Sequence, residues 1–191
     1  RIQSRLFQIT DDAPEALHFA TIAAGIGEGL EEQLTSFLTQ HPDTSLVVID
    51  TLQRVRNTND SGNPYANDYR DISVLKALAD KHHIAILLIH HLRKLNDDDP
   101  MNMISGTTGI SGATDSNFVL KERRRGSGEA ILYCTGRDIE YRELPLVFDK
   151  TSYTWLLTEP VEAERIYVDP EALSLSAFLR GWAASRERLR S

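Results

Sequence analysis

Two rhythms of apolar residues divide this chain. In the first, apolar positions recur every three or four residues. Ile2, Leu6 and Ile9 predict a helix over 1–9; Leu30, Leu34, Phe37 and Leu38 predict a second ending near His41-Pro42; Ile72, Leu75, Leu78 and Ala79 predict a third. In the second rhythm the apolar residues run unbroken: 46–49 closes on Asp50, and 84–89 closes on His90-His91. A strand without polar positions needs cover on both faces, which is the habit of a parallel sheet. Strand, loop, helix and strand in that order compose a βαβ unit with a right-handed crossover.

The remaining segments are shorter. Residues 16–20 predict a brief strand after the break at Asp11-Asp12-Ala13-Pro14. Gly25-Ile26-Gly27-Glu28-Gly29 lacks the spacing and the following Lys-Ser/Thr of a phosphate loop, so it reads as the lead into the second helix. Polar loops cover 56–67 and 96–112, and a third strand covers 117–120. Beyond Gly126-Ser127-Gly128, three short strands (130–134, 144–148 and 153–157) follow with tight links, the pattern of antiparallel strands added at a sheet edge. The fold class expected is α/β: a mostly parallel sheet flanked by helices, with antiparallel edge strands. Residues 1–158 form the core, and 159–191 form a linker and helical tail whose apolar face is Leu175, Phe178, Leu179 and Trp182.

Composition narrows the class. The 191 residues suffice for one ordinary domain, and 41% hydrophobic with 26% charged residues is a globular balance. A net charge of −7 argues against a protein that coats nucleic acid or anionic lipid through bulk positive charge, though local basic loops remain compatible with it. The single cysteine, Cys134, excludes an internal disulfide and a cysteine-based zinc site and fits a reducing, cytoplasmic setting. No apolar run approaches the roughly 20 residues of a membrane span, so no membrane partner is expected.

Ligands of open α/β sheets bind at the carboxyl ends of parallel strands. Asp50 and Thr51 stand at one such end, where a carboxylate holds Mg²⁺, directly or through water, beside a nucleotide's phosphates; an Asp there also serves to cap the next turn. His90 and His91 stand at the other, where an imidazole can donate to a γ-phosphate or sit satisfied in the core. Adjacent residues of a strand face opposite ways, so the two imidazoles are poor co-ligands of one ion. A metal site joining them to His82 and His83 is opposed by the intervening strand, roughly 20 Å long. Arg137, after Gly136, can reach a neighbouring subunit's nucleotide or pair locally with Asp138. The runs 121–125 and 97–99 read as a solvated hairpin end and a solvated turn.

Taken in order, Val48-Ile49-Asp50-Thr51-Leu52 (a Walker B strand), Leu88-Ile89-His90-His91-Leu92-Arg93-Lys94 (a sensor strand), Ser105-Gly106-Thr107 through Gly112-Ala113-Thr114-Asp115, and Gly136-Arg137-Asp138 resemble the C-terminal two-thirds of a RecA-like ATPase. The resemblance is to the group around the plasmid replicative helicase RepA and the phage and mobile-element helicase-like ATPases, more distantly to DnaB helicases, and it covers about 1–157. It implies that Asp50 organises Mg²⁺ and ATP with Thr51 beside it. It further implies that His91 detects the γ-phosphate, that His90 orients or relays, and that Arg137 is an arginine finger entering the next subunit's site. The implied partners are further copies of the chain in a ring, possibly a hexamer, single-stranded DNA in its channel, and other replication proteins. Loops 56–67 and 94–108 then line the channel, with Arg54, Arg56 and Lys94 as phosphate contacts. One part of the pattern is missing. No Gly-Lys dipeptide occurs in the chain, so the G-x-x-x-x-G-K-[ST] loop is absent. In the family that loop and the water-activating carboxylate precede the helix at 1–9. The N-terminal part of the fold is therefore expected to be missing, and this chain alone is not expected to hydrolyse ATP at a helicase-like rate. The rival expectation is a non-catalytic module that keeps the fold for oligomerisation or DNA binding.

Overall fold

A computed structural model of the protein describes residues 2–10, 14–56, 63–93, 97–104 and 108–158. The tail expected over 159–191 lies outside them. Among the described residues, five helices and six strands follow one another: α1 (Ile2–Ile9), α2 (Leu30–Gln40), β1 (Leu46–Asp50), α3 (Leu52–Val55), α4 (Pro64–His82), β2 (Ala85–Ile89), α5 (Thr108–Ala113), β3 (Ser116–Glu122), β4 (Glu129–Gly136), β5 (Arg142–Asp149) and β6 (Thr154–Leu157), with a 3-10 turn at Pro100–Met103.

The two unbroken apolar runs become β1 and β2, which pair in parallel from Leu46↔Ala85 to Asp50↔Ile89. The crossover between them is α3, the loop after Arg56, and α4. Helix α4 starts earlier than its apolar stripe announces. Asn63 caps it by accepting the Tyr65 N–H at 3.0 Å, and Pro64 fills the first position, where a missing N–H costs nothing. The loop expected over 56–67 is shorter by that much.

Alternation along the strands turns Val47, Ile49, Ile86 and Leu88 to one face, where they meet the buried residues of α2, α3, α4 and α5. Leu30, Leu52, Val55, Ile72, Leu75, Ile110 and Ala113 form the larger core, and Leu38, Leu78 and Ile84 a smaller one. The opposite face does not match the expected two-sided cover. Val48 is 51% exposed and Ile89 38%, because the packed helices all contribute to the first face.

The strands from Ser116 onward form a sheet of their own, in the order β3-β4-β5-β6 and antiparallel throughout. Thus β3 pairs with β4 and does not extend the parallel pair among the described residues. The cause is local: the β3–β4 link turns through Gly126 and Gly128, both at positive φ, which returns the chain alongside the strand it has left. At the β5–β6 link the Asp149 carboxylate accepts from Ser152 Oγ and from the Thr151 and Ser152 backbone, and these bonds hold it below the usual carboxylate range.

The brief strand expected over 16–20 is absent; these residues are turn and unpaired coil. Side chains of α2 hold the segment where a neighbouring strand would have done so. Gln33 accepts the Ala24 N–H and donates to Ile22 O, and His18 packs against Phe37 and His41. The glycine-rich lead that follows is pinned at Ile26, which is buried and donates its N–H to Val55 O at 2.7 Å.

Candidate nucleotide-facing site

The register of β1 and β2 decides what can meet at their carboxyl ends. Asp50 is the last residue of β1 and lies opposite Ile89, the last of β2, so His90 and His91 leave β2 beside the point where Asp50 and Thr51 leave β1. The Asp50–Thr51 peptide is cis. Asp50 shares its face with Val48 and Ile89, away from the core. It is exposed and forms no ion pair or side-chain hydrogen bond with any described residue, so its oxygens are available to a cation's hydration shell. His91 is exposed, whereas His90 is half-buried, as alternation past Ile89 requires. His82 and His83 precede β2 and the other pair follows it, and no group of three or more His, Cys, Asp or Glu converges on one point among the described residues.

Beyond His91, the chain is gathered at its base. Leu92 bridges Ile104, and the Arg93 N–H donates to Met103 O at 2.7 Å. Lys94 and residues 105–107, named from the sequence, lie outside the described residues. Within the stem the Asp97 carboxylate accepts from the Asp99 N–H and from Asn102, which lowers its pKa. The acidic run 97–99 is thus partly used up in turning the chain into the Pro100–Met103 turn, which Asp99 caps.

Arg54 projects from the one-turn helix α3 and is exposed. Arg56 is placed otherwise than the DNA-contact expectation assumes. Its guanidinium pairs with Asp68 and with Asp71, the latter at 3.4 Å, and both carboxylates are buried on α4. Two buried acids need a countercharge, and Arg56 supplies it, fixing the start of the loop to the helix that ends it.

Arg137 follows β4 and keeps its side chain 61% exposed. Its partner is neither Asp138 nor Arg142 but Asp115: the Arg137 N–H donates to Asp115 O at 2.9 Å, and Nη1 lies 3.4 Å from Oδ1. The other Asp115 oxygen pairs with Lys76 of α4. Gly136 allows this approach, since a Cβ there would stand 2.7 Å from Asp115 O and 2.7 Å from Ser116 Oγ. The Lys76–Asp115–Arg137 chain escaped the sequence reading, because its members are far apart along the chain and no local pattern joins them.

A parallel pair with a carboxylate at its rim, an α-helical crossover and a following antiparallel sheet define a RecA-like ATPase fold of the helicase kind. Residues 3–97 match the family model described as an AAA domain. Among solved structures, one helicase ATPase domain superposes with a TM-score of 0.61 at 14% identity, over 74% of this chain and 54% of that one. The chain therefore spans about half the length of the domain it resembles. No curated protein sequence matches it.

Proposed function

We propose that this chain is the part of a helicase-type, ring-forming ATPase that carries the Mg²⁺-facing carboxylate, the γ-phosphate contacts and the arginine finger. The observation that supports this most directly is the Asp50↔Ile89 register, which gathers Asp50, Thr51, His90 and His91 at one rim. Asp50 orders the water shell of Mg²⁺, and Thr51 lies beside it. His91 donates to the terminal phosphate of ATP, and His90 orients it from the half-buried side. Bound Mg²⁺ supplies charge neutralisation between the β- and γ-phosphates. Arg137, held at the far end of β4, serves the site of the next subunit. Single-stranded DNA runs along the loops after α3 and β2, with Arg54 and Lys94 on its phosphates. Arg56 aligns the first loop through Asp68 and Asp71 and leaves direct contact to its neighbours.

The missing Gly-x-x-x-x-Gly-Lys loop means that the 191 residues alone turn over no ATP at a helicase-like rate. The test is phosphate release by the chain alone and by the chain joined at its N-terminus to a phosphate-loop strand and helix. We expect silence from the first and turnover from the second, lost with Asp50→Asn and with Arg137→Ala. Robust turnover by the chain alone, or restored turnover indifferent to Asp50→Asn, overturns the assignment. Silence in both arms with DNA binding intact favours the rival supported by the same missing loop, a non-catalytic module.

A further inference from the structure

We propose that Tyr65 and Tyr69 form a stacking platform for the bases of single-stranded DNA at the root of the first loop; this rests on the reading above that the loop meets such a strand. The two residues are one turn apart on α4 and therefore share a face. That face is not the packed one, which holds Asp68, Asp71, Ile72, Leu75 and Leu78. The rings are 47% and 49% exposed, with centroids 6.5 Å apart and planes within 18° of parallel. Neither hydroxyl bonds to a described residue, so no polar contact inside the domain accounts for the pair.

The platform is rigid and electrically open to phosphate. Asn63 and Pro64 fix the first turn under Tyr65, and Ser73 Oγ donates to Tyr69 O at 2.7 Å. A preformed surface spares a ligand the ordering of the groups it meets. The first turn of α4 carries no acidic residue, and the two carboxylates nearest along the helix, Asp68 and Asp71, are buried against Arg56. Arg70, beside Tyr69, keeps its side chain 55% exposed. Parallel aromatic faces with cations beside them suit a strand of any sequence, since every base offers a π-face. Arg56 ties the start of the loop to α4 at Asp68 and Asp71, within a turn of the rings, so a strand following that loop passes over them.

The experiment is fluorescence anisotropy of a labelled oligo-dT titrated with the full chain, across a salt series. Three proteins are compared: the unaltered chain, Tyr65→Leu/Tyr69→Leu, and Tyr65→Phe/Tyr69→Phe, each checked for fold by circular dichroism. Stacking predicts that the leucine pair weakens binding about ten- to a hundredfold with the salt slope unchanged, and that the phenylalanine pair binds like the unaltered chain. Equal binding by the leucine pair overturns the platform while leaving the loop reading intact. Loss in both variants alike assigns the effect to the hydroxyls and also overturns it. An unaltered chain that fails to bind at low salt overturns the loop reading and the platform together.

Discussion

The parallel pair and the antiparallel sheet are built by opposite means. Strands β1 and β2 meet only after the chain has run through α3 and α4, and their contact is stabilised by helices packed on one face. Strands β3 to β6 each pair with the next through a short turn, and their residues contribute nothing to the two buried clusters of the helical side. Non-local pairing is slow to form and depends on packing, whereas sequential hairpins form locally. Every rim residue proposed to face the nucleotide stands on the costly, non-local half. The sheet contributes Arg137, held to that half through Asp115 and Lys76.

Four substitutions and one titration would break or sharpen this contrast. The largest effect is expected on the helical side at Arg56→Met, which leaves two buried carboxylates without their partner. Removing one member of a buried ion pair costs about 3–5 kcal/mol, read as a fall in the urea midpoint; an unchanged midpoint would restore Arg56 to the surface and to DNA. Next, Leu75→Ala removes a side chain 2% exposed in the larger core, for about 2–5 kcal/mol. The matching truncation in the sheet, Leu156→Ala at 47% exposure, should stay within about 0.5 kcal/mol. Equal losses would erase the distinction between the halves. At the junction, Gly136→Ala forces a methyl against the Asp115 carbonyl and should cost about 1–3 kcal/mol; thermal melting reads it, and a neutral result would show the approach is looser than 2.7 Å implies.

The smallest effect is a titration in the sheet. Tyr141 donates to Glu143 at 2.8 Å, and that bond, with the nearby carboxylate charge, pushes its pKa up to about 12. The raised value means that the unfolded chain loses this proton first, so stability declines as pH rises from about 10, the ordinary tyrosine value, to about 12. Ultraviolet titration should find one late-ionising tyrosine that moves back toward its ordinary pKa in Glu143→Gln. No change in that variant would detach the shift from Glu143.

The sequence made β1, β2 and the long helices readable because each has a period extended enough to recognise. It concealed α3 and α5, four and six residues long, since neither completes two turns and α5 holds Gly109 and Gly112. The earlier start of α4 was signalled by Asn63-Pro64, but the polar stretch after it hid the signal. The strand expected over 16–20 had apolar content and no neighbour to pair with. At the rim, Asp50 and the histidines were visible because strand ends are predictable from apolar runs. The role of Arg56 was not, since its partners stand 12 and 15 residues on. The available clue was two acids, Asp68 and Asp71, interrupting the buried stripe of a helix, which demands a cation from elsewhere.

The brevity of α3 carries one more consequence. Thr51 at the proposed nucleotide rim and Arg56 at the mouth of the proposed strand-binding loop are separated by a single four-residue turn, about 6 Å of axial rise. Leu52 and Val55 bury both ends of that turn, and Arg56 bolts its exit to α4. A crank so short has little room to flex, so a shift of the peptide at Asp50 reaches the loop as a displacement of similar size.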